Sequence, residues 1–219
     1  MTNSKVIDFK YNEKIMSKAL ITFPKDFNKE KESLPMIVFL HGAGERGTDI
    51  NEVKRHGIPK LFDRDCEHRG HRVITLSPQC PFDDIWNHVV YYLKDFIDSV
   101  ADEYNVNKNA ITLTGISMGG FGTWEMAMTY PDYFAAIAPI CGGGMAWRVG
   151  ALVNLPIRVY HGDMDDAVPL EYSRLMVDKL KACGSKVDFT IFPGVNHNSW
   201  DPAYETTDLI DWLATAKKF

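Results

Sequence analysis

No stretch of this chain approaches the roughly 18 apolar residues that a transmembrane helix requires. The opening residues, Met1-Thr2-Asn3-Ser4-Lys5-Val6-Ile7-Asp8, lack the apolar core of a secretory signal. Cysteine is scarce. Cys66, Cys80, Cys141 and Cys183 include no Cys-x-x-Cys pair and no disulfide-like spacing. Free thiols in a reducing, cytoplasmic setting are therefore expected. Internal repeats, low-complexity tracts, linker-like segments and long runs of like charge are missing too, which speaks against a multidomain or tailed chain. There is no basic excess: 24 Lys and Arg stand against 29 Asp and Glu, a formal net charge of −5. A nucleic-acid partner, which favours a basic face, is not expected.

What is present is ordinary globular usage, 45 % hydrophobic and 24 % charged residues. A length of 219 residues suits one domain with a sizeable core, read here as 1–219. Opening strands are expected over 6–11 and 19–23, forming an antiparallel hairpin. An unbroken apolar run of strand length follows at 36–40, and similar, mainly apolar runs are read at 73–76, 110–114, 134–140, 157–160 and 187–192. Continuous rather than alternating runs imply a sheet covered on both faces. Between them, Trp86, Val89, Val90, Leu93, Phe96, Ile97, Val100 and Tyr104 recur at three- and four-residue steps, one face of a long helix. Further helices are expected over 118–130, 170–182 and 204–216. Strands alternating with helices predict a doubly wound, mostly parallel α/β sheet, which binds ligands at the carboxyl ends of its strands.

The chemistry falls at those ends. Gly115-Ile116-Ser117-Met118-Gly119 lies between an apolar strand and a helical pattern, the strand-turn-helix setting of a nucleophile elbow. Flanking glycines remove the Cβ atoms that so tight a turn would drive into its surroundings. Ser117 is thus the candidate nucleophile, and the Met118 amide, at a helix start, a candidate oxyanion donor. A serine needs a base, and the base an orienting acid, in the chain order serine, acid, histidine. The strand at 157–160 leads into His161-Gly162-Asp163-Met164-Asp165-Asp166, leaving three candidate acids, Asp163, Asp165 and Asp166. The strand at 187–192 leads into Asn196-His197, the single histidine after the final strand. His41 and His161, each in a His-Gly pair, are read as loop-holding residues, and His56, His68, His71 and His88 as surface residues.

The loop after the 36–40 strand reads His41-Gly42-Ala43-Gly44-Glu45-Arg46-Gly47. Its small residues allow close approach to a substrate, and Ala43 N–H is the expected second oxyanion donor. A phosphate loop is disfavoured, because no Lys-Ser or Lys-Thr pair follows and the Gly-x-Gly-x-x-Gly spacing is absent. The Cys66–His71 stretch has no second cluster to complete a metal site, so no metal is expected. Gly44, Glu45, Trp86, Trp147 and Trp200 are the expected pocket residues, with Trp200, three positions past His197, the first choice.

The blocks at 41–47, 115–124, 161–169 and 196–200 together resemble the α/β-hydrolase serine esterases, in the carboxylesterase/phospholipase-like, dienelactone-hydrolase-like and feruloyl-esterase-like branches, including proteins labelled predicted peptidases. The likeness runs from about residue 16 to the end of the chain. It implies that Asp165, at the acid position of the His-Gly-x-x-Asp-x-x-Val-Pro block, orients His197, and that Ala43 supplies an oxyanion amide. Serine at 117 departs from the cysteine of dienelactone hydrolases proper and disfavours their activity. The stretch between Ile140 and Pro156 is too short for a large lid, which disfavours an interfacially activated lipase. The expectation is a cofactor-independent serine carboxylesterase acting on small soluble esters with short acyl or aryl groups, feruloyl or acetyl decorations of plant polysaccharide among them. A serine peptidase and a catalytically inactive binding module are the alternatives. The expected partner is a small-molecule ester, with no nucleic acid and no membrane; a homodimer stays open.

Overall fold

The computed structural model describes residues 3–11 and 14–218. Strand β3 (Met36–Leu40) explains the architecture in miniature, being buried at every position. Met36, Val38 and Leu40 enter one apolar cluster, while Ile37 and Phe39 enter a second on the opposite face. A strand clothed on both sides must be apolar throughout, which is why its run is continuous. β4 (Ile74–Pro78), β5 (Ile111–Ile116) and β6 (Ala136–Ile140) are likewise buried at every position, with hydroxyls at Thr75, Ser77, Thr112 and Thr114 but no charged side chain.

Among the described residues eight strands form one sheet in the order β1-β2-β4-β3-β5-β6-β7-β8. The hairpin β1 (Ser4–Tyr11) and β2 (Lys14–Thr22) is antiparallel, and β2 joins β4 antiparallel. From β4 across to β7 (Arg158–Gly162) and β8 (Asp188–Phe192) every pairing is parallel. One face carries α2 (Trp86–Glu103), α3 (Met118–Thr129) and α4 (Glu171–Ala182). The other carries α1 (Gly57–Arg64), α5 (Trp200–Thr206) and α6 (Leu209–Thr215). The chain leaves β3 toward β4 on one side and later pairs β5 on the other, a topological switch that opens a crevice at the carboxyl ends of β3 and β5. Among the described residues no helix is long and apolar enough to cross a membrane.

Two expectations are corrected. The single helix expected over 204–216 is two: Thr207 is extended (ψ 178°), and its Oγ1 accepts the Leu209 N–H at 3.1 Å, capping a new helix instead of continuing the old one. Asp208, at the break, accepts from Arg158 at 2.7 Å. Helix α1 was not anticipated. Its apolar face is only Ile58, Leu61 and Phe62, entered through Gly57 at φ +60° with Pro59 in the first turn, a signal too short to stand out.

Candidate active site

Ser117 stands between β5 and α3 at φ 54° and ψ −119°, a left-handed conformation that costs a non-glycine residue about 1–3 kcal/mol. The surroundings enforce it. Ser117 N donates to the Ile140 carbonyl at 3.0 Å, and its own carbonyl accepts from Phe121 N at 3.1 Å. A Cβ at Gly115 would fall 2.3 Å from the Gly119 carbonyl oxygen, and one at Gly119 would fall 1.9 Å from that of Leu40. Only glycine at both places lets the turn close against the end of β3.

His197 and Asp165 arrive from the loops after β8 and β7. His197 Nε2 lies 2.9 Å from Ser117 Oγ, and Nδ1 lies 2.7 Å from Asp165 Oδ2. The other Asp165 oxygen accepts the amides of Ala167 and Val168 at 3.0 and 2.8 Å. The Trp200 ring stands edge-on to the His197 ring, centroids 5.3 Å apart. Of the remaining acids, Asp163 accepts the Gly194 amide at 2.6 Å and ties the two loops together, while Asp166 is exposed. The structure therefore brings Ser117, His197 and Asp165 into one hydrogen-bonded chain.

That chain opens on a cleft of about 210 Å³ lined by Gly42, Ala43, Gly44, Glu45, His56, Ile116, Ser117, His197 and Trp200. Ala43 begins a short helical turn beside the serine, and Met118 is the first residue of α3. Amides at such positions have no intrahelical acceptor and are free to meet an anion. Gly44, Glu45 and Trp200 line the cleft as expected. Trp86 does not. It is fully buried behind the loop, donating from Nε1 to the His41 carbonyl at 2.9 Å and packing where a Gly122 side chain would stand. Trp147 is not a lining residue either; it lies on the short helical segment Ala146–Leu152 with 76 % of its surface in solvent. Conversely, sequence reasoning placed His56 at the surface, yet it lines the cleft, 3.9 Å from the buried Glu45 carboxylate and ring to ring with Trp200 at 5.2 Å. The grouping joins the loop after β3, the start of α1 and the start of α5, and no sequence signal links those segments.

His41 holds its loop. Its Nε2 accepts the Cys80 amide at 2.9 Å, so Nδ1 carries the proton to the Gly42 carbonyl at 2.6 Å. Burial, with Arg46 nearby, lowers its pKa to about 4, and the ring is neutral. Cys141, Asp165 and His197 present ligand atoms within 4.8 Å of one another. Burial pushes the Cys141 thiol up to about 12, and Asp165 already accepts from His197 and two amides, so this trio is poorly suited to a cation.

A doubly wound sheet with a serine on a strained strand-to-helix turn, faced by a histidine and an aspartate from later loops, defines an α/β-hydrolase. Residues 72–215 match the phospholipase/carboxylesterase family, and the chain belongs to it. A solved thermostable esterase superposes with a TM-score of 0.88 at 34 % identity, covering 99 % of this chain and 64 % of that one. A protein of Arthroderma benhamiae described as an uncharacterized secreted protein is 28 % identical over 226 residues, 84 % of this chain but 23 % of its own length. A bifunctional acetylxylan esterase/xylanase of Neocallimastix patriciarum is 31 % identical over 77 residues, 35 % of this chain and 12 % of that protein. The chain thus spans less than two thirds of these relatives.

Proposed function

We propose that this chain is a serine carboxylesterase that cleaves small soluble esters through an acyl-enzyme, with Ser117 as nucleophile, His197 as general base and Asp165 as orienting acid. One observation carries the reading: the unbroken relay of 2.9 and 2.7 Å from Ser117 Oγ through His197 to Asp165, opening on a cleft. His197 Nδ1–H donates to Asp165, leaving Nε2 to take the Ser117 proton as Oγ attacks the ester carbonyl. The oxyanion that forms sits against the amides of Ala43 and Met118. His197 returns the proton to the departing alcohol, and water releases the acid by the same route. These residues supply every group the reaction requires, without a metal or organic cofactor.

The shape of the cleft supports this substrate class. Small residues (Gly42, Ala43 and Gly44) line one side and Glu45, His56 and Trp200 narrow it, its volume is about 210 Å³, and the connection from β6 to β7 carries only the short turn Ala146–Leu152. That favours acetyl, other short acyl or compact aryl groups over long chains. Esters decorating plant polysaccharide fit this class, and the acetylxylan esterase relative supports it.

The test pairs a probe with a panel. A fluorophosphonate should label the wild type and not Ser117→Ala, and Ser117→Ala should lose several orders of magnitude in turnover while folding normally. Labelling that persists in the variant refutes the nucleophile. p-Nitrophenyl esters from acetyl to palmitoyl, methyl ferulate and an aminopeptidase substrate then rank the classes. A kcat/KM maximum among the shortest acyl groups or the ferulate is the expected result; cleavage of the peptide substrate alone would overturn ester hydrolysis.

A further inference from the structure

Asp165 Oδ2 serves two histidines. His197 Nδ1 lies 2.7 Å from it, and His161 Nε2 lies 3.1 Å from the same oxygen. The side chains of His161 and Asp165 are both 0 % exposed. His161 belongs to β7 and precedes Asp165 by four residues, so the turn that leaves the strand brings imidazole back onto carboxylate.

Hydrogen-bond accounting fixes the proton on this ring. Nε2 faces two acceptors, the Val168 carbonyl at 2.8 Å and Asp165 Oδ2 at 3.1 Å. A bare nitrogen there would set its lone pair against two buried oxygens, so Nε2 carries hydrogen. Nδ1 lies 2.8 Å from Ser173 Oγ, whose hydroxyl also reaches the Gly142 carbonyl at 2.8 Å. Burial lowers the His161 pKa; the ring is neutral, and the one Ser173 hydroxyl hydrogen is shared between the Gly142 carbonyl and the bare Nδ1.

We infer that His161 is a positioning residue for the reaction: its Nε2, bonded to the Val168 carbonyl and 3.1 Å from Asp165 Oδ2, acts with the amides of Ala167 and Val168 to brace the turn that presents the Asp165 carboxylate to His197 Nδ1. Oδ1 is held by two backbone donors of the same loop, and His161 braces that loop from β7 through the Val168 carbonyl, its Nε2 3.1 Å from Oδ2. Without it the carboxylate can swing about the Oδ1 anchor, and a small misplacement of the acid reaches Ser117 through the His197 ring. This rests on the reading of Asp165 as the orienting acid. His161 does not line the cleft, so its effect belongs to turnover and not to substrate affinity.

The experiment is a double-mutant cycle on the full chain, with acetyl ester kinetics for His161→Phe, His161→Gln, Asp165→Asn and His161→Phe/Asp165→Asn. Glutamine can return an amide N–H near the Nε2 position; phenylalanine cannot. His161→Phe should lower kcat roughly 10- to 100-fold with KM little changed. His161→Gln should recover most of that loss. In the Asp165→Asn background His161→Phe should cost no more than about threefold further, because the group it positions is already gone. Equal losses in both backgrounds, a loss carried by KM, or a glutamine variant as impaired as phenylalanine would overturn the inference. ¹⁵N spectra of the wild type give a readout that does not depend on any variant folding: His161 Nε2 should be protonated and Nδ1 bare, and the opposite tautomer refutes the brace. If Asp165→Asn itself keeps near-normal turnover, the acid assignment falls; if it is crippled while His161→Phe is harmless, only the role of His161 falls.

Discussion

At the scale of single residues the difference between three neighbouring aspartates is set by what each can reach. Asp165 accepts from His197 and from the Ala167 and Val168 amides, Asp163 from the Gly194 amide, and Asp166 faces solvent. Asp165→Asn keeps the size of the side chain but can put a donor where His197 Nδ1–H needs an acceptor. Turnover near neutral pH should fall by roughly 10⁴-fold if the site follows the serine-protease template. Asp163→Asn and Asp166→Asn should keep turnover within about threefold, the first through a slightly loosened pair of loops. A crippled Asp166→Asn beside a mild Asp165→Asn would show the register to be wrong by one. From residue types alone these three acids were equivalent, and only the family pattern singled out Asp165. Ser117 and His197 were legible from placement, since each follows an apolar strand in the right order. The direction of a tryptophan is not written in its neighbours, so Trp86 and Trp147 were placed on the pocket although one is core and the other surface. His56 reached the cleft through contacts with Glu45 and Trp200 that lie far from it in the chain.

The elements show the same contrast between local and distant information. Largely apolar runs marked the inner strands because burial on both faces leaves no charged position, and the helix over 86–104 was plain from its stripe. The stop at Thr207 was hidden because it depends on a hydroxyl turning back to Leu209 N, a choice that threonine makes only in context. The elbow is the element on which the site depends most, and its glycines make a sharp prediction. Gly119→Ala would place a methyl 1.9 Å from the Leu40 carbonyl oxygen, backbone against backbone, with no flexible side chain to yield. The end of β3 and the start of α3 would have to separate, at a cost of more than about 3 kcal/mol. Gly44→Ala meets no heavy atom within 4 Å among the described residues and should melt like the wild type. Differential scanning fluorimetry of the two variants decides it. A Gly119→Ala protein as stable as Gly44→Ala would mean that the elbow is far more compliant than its contacts imply.

For the whole molecule, strand order was the least legible feature, since an apolar strand does not name its neighbours; the switch between β3 and β5 emerges only when the sheet is assembled. Assembly also buries two histidines as neutral rings on the carboxyl side of that sheet, and this ties stability to pH. His41 is lowered to about 4 chiefly by burial, and His161 is lowered for the same first reason. In the unfolded chain both titrate near the ordinary value of about 6.5. Between 6.5 and the folded values the unfolded state binds more protons, so acid favours unfolding in that window. Their stabilisation is fully present above pH 6.5 and is lost as the pH falls, down to about 4 for His41. The His41 ring contributes a slope approaching about 1.4 kcal/mol per pH unit inside its window, and His161 adds to it in the same direction. Urea midpoints at pH 7.5, 6.0 and 5.0 should therefore decline steadily, before most surface carboxylates begin to titrate. His41→Gln, which removes the titrating ring, should start from a lower midpoint at pH 7.5 and decline less steeply over the same range. A wild-type midpoint that stays level from pH 7.5 to 5.0 would show that neither ring is held neutral by the fold.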